Sequence, residues 1–120
     1  MLIKNLTDTP AFEAGDLTRI QEILHPKNDG LDLPFSLAVA SLEPGAKSVL
    51  HMLKSSLEIY FILEGEGKVF LNTESQNVKK GDLVYIAAGI KQHIENTGRS
   101  VLTFLCIVAP PWHGADEYIF

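Results

Sequence analysis

The sequence predicts a single all-β domain, a sandwich or barrel, and two observations carry that expectation. Turn signals recur at short intervals: "NDG" at 28–30, "EPG" at 43–45, "EGEG" at 64–67, "KKGD" at 79–82, "AAG" at 87–89 and "NTG" at 96–98. Between them lie short runs rich in Val, Ile, Leu, Phe and Tyr, the pattern of short strands joined by evenly spaced turns. At 120 residues and 13.2 kDa the chain is long enough to bury one core without staples.

Taken in order, "DLTRIQEIL" is the ambiguous segment. Leu17, Ile20 and Leu24 suit a helix, while the flanking "GD" and "HP" suit a strand, and a strand is the preferred reading. The runs "FSLAVASL", "SVLHML", "LEIYFIL", "KVFLN", "DLVYIA", "KQHIEN" and "SVLTFLCIVA" then read as strands. "EGEG" and "KKGD" read as turns, because glycine reaches positive φ without steric cost. The tail "PPWHGADEYIF" is expected to be irregular, since Pro110 and Pro111 cannot continue a ladder.

Hydrophobic residues make up 46% and charged residues 21%, which excludes a disordered chain. The formal charge of −5 and the lack of any Lys/Arg cluster argue against nucleic acid and anionic membranes as partners. No apolar run reaches bilayer length and "MLIKNLTDTP" has no apolar leader core, so the expected compartment is the cytosol. The single cysteine, Cys106, forms no internal disulfide and sits in "VLTFLCIVA" as a small buried hydrophobe.

In "LEIYFIL" alternation places Leu57, Ile59, Phe61 and Leu63 on one face and Glu58, Tyr60 and Ile62 on the other. Both faces are apolar, so both should be covered, one by the barrel interior and one by a facing sheet or a partner subunit. Glu58 is the anomaly, because a buried carboxylate is costly unless paired, protonated or bound to a cation. A strand-end glutamate reaching solvent is the bland alternative. His51, on one face with Val49 and Leu53, is separated from the next run only by "KSS", which reads as a tight hairpin connection. An imidazole and a carboxylate converging in an apolar barrel is how a mononuclear metal site begins. His25 in "LHPKNDG" and His113 in "PWHG" read as solvated loop histidines. Trp112 is placed either to close one end of the barrel or to meet a second subunit.

The stretch "GAKSVLHMLKSSLEIYFILEGEG" resembles the first conserved motif of the cupins through Gly45, His51, Glu58 and Gly65, with Leu53 where a second histidine is expected. "GDLVYIAAGIKQHIEN" resembles the second motif through Gly81, Gly89 and Asn96, with Ala87 in the proline position. Counting from either Gly89 or Asn96 puts the expected histidine at position 92, so Gln92 and not His93 takes its place. Alternation then turns Gln92 inward and His93 outward. The resemblance covers about residues 36–108 and implies a cupin-type double-stranded β-helix, or jelly-roll barrel. Residues 1–35 form an N-terminal strand or arm, and 109–120 a C-terminal tail, of one domain spanning 1–120.

The resemblance also implies a divalent metal (Zn, Mn, Fe or Ni) held by His51, Glu58 and Gln92, with open positions left for water or substrate. Glu58 and Tyr60 are the candidates for proton transfer, and the substrate is expected to be a small polar molecule, carboxylated or sugar-like. Oxygenase, isomerase and lyase chemistry all fit. The alternative is a metal-free small-molecule-binding or sensing module, which Leu53 favours. The apolar outer face of "LEIYFIL" and the strand edges of an open jelly roll imply a homodimer.

Overall fold

A computed structural model describes all 120 residues. The strands are β1 (Phe12–Glu13), β2 (Arg19–Leu24), β3 (Ser36–Leu42), β4 (His51–Leu53), β5 (Leu57–Glu64), β6 (Glu66–Leu71), β7 (Glu74–Lys79), β8 (Leu83–Ile86), β9 (Gln92–Asn96), β10 (Leu102–Ala109) and β11 (Glu117–Ile119). They build a six-stranded sheet in the order β1-β2-β3-β10-β5-β8 and a five-stranded sheet in the order β11-β4-β9-β6-β7. All pairings are antiparallel. From β3 onward nearly every connection changes sheet, which is the jelly-roll arrangement expected from the sequence. No helix is long and apolar enough to cross a membrane.

The interior is packed at one end and hollow at the other. Ile62, Ile94, Leu102 and Phe104 are fully buried at the packed end. Towards the other end the inward positions of β3 and β10 become small (Ser36, Ala38, Ala40, Cys106), and the two sheets are left apart around a cavity. Strand alternation on β5 carries this gradient along one face: Ile62 sits in the core, Tyr60 beside it, and Glu58 at the cavity.

The segment "DLTRIQEIL" is a strand over Arg19–Leu24, as its flanks suggest. Leu17, an apolar candidate for a helical face, instead sits in the turn before β2 with φ of 72°. Three expectations differ from the structure. "KSS" is no hairpin: β4 belongs to the five-stranded sheet and β5 to the six-stranded one, so Lys54–Ser56 crosses between layers. The crossing is held by Asp116, whose carboxylate accepts from Ser55 N at 2.8 Å, Ser55 Oγ at 2.5 Å and Ser56 N at 3.1 Å. Burial pushes the Asp116 carboxyl up, but these bonds outweigh it and hold the group below its ordinary value.

The tail is also more regular than its prolines suggest, because β11 pairs with β4 beyond a short 3-10 turn at Gly114–Asp116. The prolines lie before this strand and do not interrupt it. β7 has no apolar periodicity, because five of its six residues are exposed and only Val78 is buried; a hairpin turn with Asn72 at φ 51° pairs it with β6. "EGEG" contains one turn glycine and one strand glycine. Gly65 has φ of 87°, whereas Gly67 lies in β6, where an added Cβ would stand 2.5 Å from the Glu95 carbonyl oxygen.

Candidate metal centre and cavity

His51 opens β4 opposite Gln92 of β9 and Ile119 of β11. Its Nδ1 lies 2.6 Å from the Val49 carbonyl oxygen. A carbonyl can only accept, so Nδ1 carries the hydrogen and the ring is oriented with Nε2 towards the cavity. There Nε2 meets Asp16 Oδ2 at 3.5 Å. Asp16, His51 and Glu117 each present a ligand atom, all within 4.8 Å of one another. That spread is within reach of one ion at roughly 2.0–2.6 Å from each donor.

Both carboxylates are fixed from outside the barrel motifs. Asp16 lies in the turn joining β1 to β2, closed by Ala14 N donating to Thr18 O at 2.8 Å and Leu17 N to Ala14 O at 2.9 Å. Its Oδ1 accepts from Thr18 N at 3.1 Å and Thr18 Oγ1 at 2.6 Å, which leaves Oδ2 for the cavity. Glu117 opens β11 and accepts from Trp112 Nε1 at 3.2 Å through Oε2. Burial pushes the Glu117 carboxyl up, partly opposed by His51 beside it. The Val49 carbonyl, Thr18 and Trp112 thus hold the imidazole and the two carboxylates in the way outer partners orient a metal's ligands.

The other two expected ligands form an adjoining group. Tyr60 donates its hydroxyl to Gln92 Oε1 at 2.6 Å, and Gln92 Nε2 donates to Glu58 Oε1 at 3.0 Å. The structure therefore places His51 with Asp16 and Glu117, and Glu58 with Gln92 and Tyr60. The Gln92 amide oxygen is engaged by Tyr60 in this arrangement. Gln92 is buried, as its spacing implied. His93 faces the other side of the sheet, stacked on Phe70 with ring centroids 4.2 Å apart.

Burial pushes the Glu58 carboxyl up to about 8; the bond from Gln92 opposes this and the charges of Asp16 and Glu117 add to it. That shift favours the protonated carboxyl at neutral pH, and with Oε1 accepting from Gln92, Oε2 is the oxygen free to carry the proton. The Tyr60 hydroxyl is likewise held well above its ordinary value by burial and by Glu58. Leu53, in the place of a second histidine, is buried and contributes only an apolar wall.

Trp112 closes one side of the cavity mouth, its backbone N–H donating to Ser36 Oγ at 2.9 Å and its backbone carbonyl lying 2.7 Å from His25 Nε2. His25 is thus a mouth-bracing residue that also caps the short helix α1 (Pro26–Asp29), and not a freely solvated one. His113 is exposed, as its loop position implied. Asp16 and Glu117 had no distinguishing signal in the sequence; "DLT" marks an Asx-type turn but not a ligand.

Comparison with known proteins assigns the class. Residues 38–108 match the family described as the cupin domain, and the chain belongs to that family. It is 43% identical over 100 residues, 83% of this chain and 79% of the other, to an uncharacterized protein of Methanocaldococcus jannaschii. It is 39% identical over 67 residues to an oxalate-binding protein of Thermotoga maritima; the match spans 56% of this chain and 55% of that protein. The crystal structure of a predicted oxalate decarboxylase from Thermotoga maritima superposes with a TM-score of 0.80 at 24% identity, covering 90% of this chain and 98% of that one. At that identity the likeness is one of fold.

Proposed function

We propose that this cupin binds one divalent cation through Asp16, His51 and Glu117 and presents it to a small molecule in the adjoining cavity, with Glu58 as the proton-carrying group. The observation that carries the reading is the orientation of His51: its Nδ1 is committed to a carbonyl, and its Nε2 faces two carboxylates. Two carboxylates and one imidazole suit Mn2+ or Fe2+ better than thiolate-seeking ions. A bound ion would polarise a substrate oxygen. Glu58 would deliver or receive a proton at Oε2, and Gln92 and Tyr60 hold its carboxyl in place. A lyase or isomerase step, which needs one proton moved beside a polarised oxygen, fits this pair of groups.

Trp112 is the only tryptophan and hydrogen-bonds a proposed ligand, so its fluorescence reports on the centre. Chelator-treated protein titrated with Mn2+ should show quenching that saturates at one ion per chain, with the aqueous Mn2+ EPR signal lost in parallel. The absence of any binding would favour the metal-free module, in which Asp16 and His51 simply pair.

The Glu58 carboxyl gives a second test. Its folded pKa of about 8 exceeds the ordinary 4.5, so the folded state holds a proton that the unfolded chain releases. Stability from this group is full at low pH and is lost as pH rises towards 8. Glu58→Gln keeps an acceptor for Gln92 and removes the titration. Urea unfolding of chelator-treated protein should show the variant gaining on wild type by on the order of a few kcal/mol between pH 5 and pH 8. A difference that does not change with pH would mean Glu58 is ionised throughout.

We also propose a homodimer through the outer face of the six-stranded sheet. Two neighbouring cross-strand rows on that face, Leu37–Ile107–Ile59–Tyr85 and Val39–Leu105–Phe61–Leu83, carry only apolar side chains. Leu83 and Tyr85 are 61% and 58% exposed in the single chain, leaving the outer end of both rows in water. Light scattering should give twice 13.2 kDa, falling to the single-chain mass in Phe61→Glu. A wild-type monomer defeats the claim.

A further inference from the structure

The cavity beside His51 is lined by acidic and apolar side chains. Its volume is about 180 Å³, comparable with the ~150 Å³ hollow that admits a benzene ring; that sizes the occupant at roughly six to ten non-hydrogen atoms. Five acidic side chains line it, Glu13, Asp16, Glu22, Glu58 and Glu117, and no lysine or arginine does. Glu13 is exposed and Glu22 half-buried, so both meet an incoming ligand early. The rest of the wall is largely apolar, including Phe12, Leu53, Phe104 and Trp112.

A carboxylate entering this space gives up its hydration and finds no cationic side chain in return. A divalent ion does not reverse this, because its two positive charges are matched by Asp16 and Glu117. An ammonium group meets Glu13 and Glu22 at the mouth, but beyond them it finds only the apolar wall and a centre whose Asp16 and Glu117 are taken up by the ion. What remains is an apolar wall beside a near-neutral centre that accepts oxygen donors.

We propose that the cavity takes an uncharged molecule with an apolar body and one or two hydroxyl or carbonyl oxygens, and excludes free carboxylates. This narrows the ligand class of the proposed function and rests on that reading of the cavity. It also separates this chain from the Thermotoga maritima relative, whose named ligand, oxalate, is a dianion.

The test is calorimetry at pH 7 on Mn2+-loaded protein with two probes, catechol as an uncharged vicinal diol and oxalate as a dicarboxylate. Catechol should bind in the millimolar range or tighter, with roughly ten-fold or greater preference over oxalate. In the Glu13→Gln/Glu22→Gln double variant oxalate should gain severalfold while catechol is unchanged, because only the anion feels the charges of the mouth. Oxalate binding as tightly as catechol, or no catechol binding in the millimolar range, overturns the proposal. EPR of the same samples reads Mn2+ loading separately. If the ion does not load, the metal reading fails alone, and the same two titrations on metal-free protein still decide the charge preference.

Discussion

Replacing His51 with alanine should weaken Mn2+ binding by roughly 100-fold or more while leaving the barrel folded. The expectation follows from the proposed donor set: His51 would supply the one nitrogen among three ligand atoms, and its ring is held by the Val49 carbonyl. Loss of outer partners alone weakens metal sites by roughly 10–100-fold, so loss of a donor should reach the upper end of that range or beyond. The variant gives up one buried hydrogen bond, about 1 kcal/mol of stability, which a barrel of this size should tolerate. Asp16→Asn should follow His51→Ala, whereas Gln92→Leu should cost only a few-fold, because the Gln92 amide bonds Tyr60 and Glu58. His93→Ala should change nothing, since its ring lies against Phe70 outside the barrel. A Gln92 effect as large as that of His51, with none from Asp16, would show that the ion is held by His51, Glu58 and Gln92 instead.

The largest stability effect is expected at Gly67, where alanine should destabilise the fold by about 3 kcal/mol. A Cβ at this position would meet Glu95 O at 2.5 Å and Leu102 Cδ2 at 2.9 Å. Leu102 is fully buried, and Glu95 O belongs to the β9 backbone paired with β6, so neither can move without separating the two strands. Urea denaturation should show a lower midpoint with an unchanged slope. Gly30→Ala is the contrast. Gly30 has φ of 64° but nothing within 4 Å of a built Cβ, so only the backbone conformation is penalised, by about 1 kcal/mol. Equal effects at the two sites would mean that close packing is not the reason for glycine at 67.

Gly65 and Gly67 have different causes that local pattern does not separate. Glycine at 65 and at 67 looks alike in "EGEG", yet one supplies a turn and the other makes room for a neighbouring strand, and only the packed structure distinguishes them. The polar strand β7 was invisible because periodicity detects burial, and that strand buries one side chain of six.

What the sequence determined by itself was what depends on neighbours along the chain. Alternation on a strand is strictly local, so the inward set Glu58, Tyr60 and Ile62 and the parity that turns Gln92 inward and His93 outward could be counted directly. The two motifs, Gly45, His51, Glu58 and Gly65 and then Gly81, Gly89 and Asn96, resemble those of the cupins, and that resemblance implied the jelly roll. The partners of His51 were decided only in three dimensions. Asp16 arrives on a turn of the N-terminal arm and Glu117 on an edge strand of the tail, both outside the matched motifs, and neither has a periodic signature. They meet His51 because Thr18 fixes the Asp16 carboxylate, and because Asp116, anchored on the Ser55–Ser56 crossing, brings the next residue to the edge of β4. Contacts of that kind are set by the closing of the barrel, which joins segments that local pattern treats as independent.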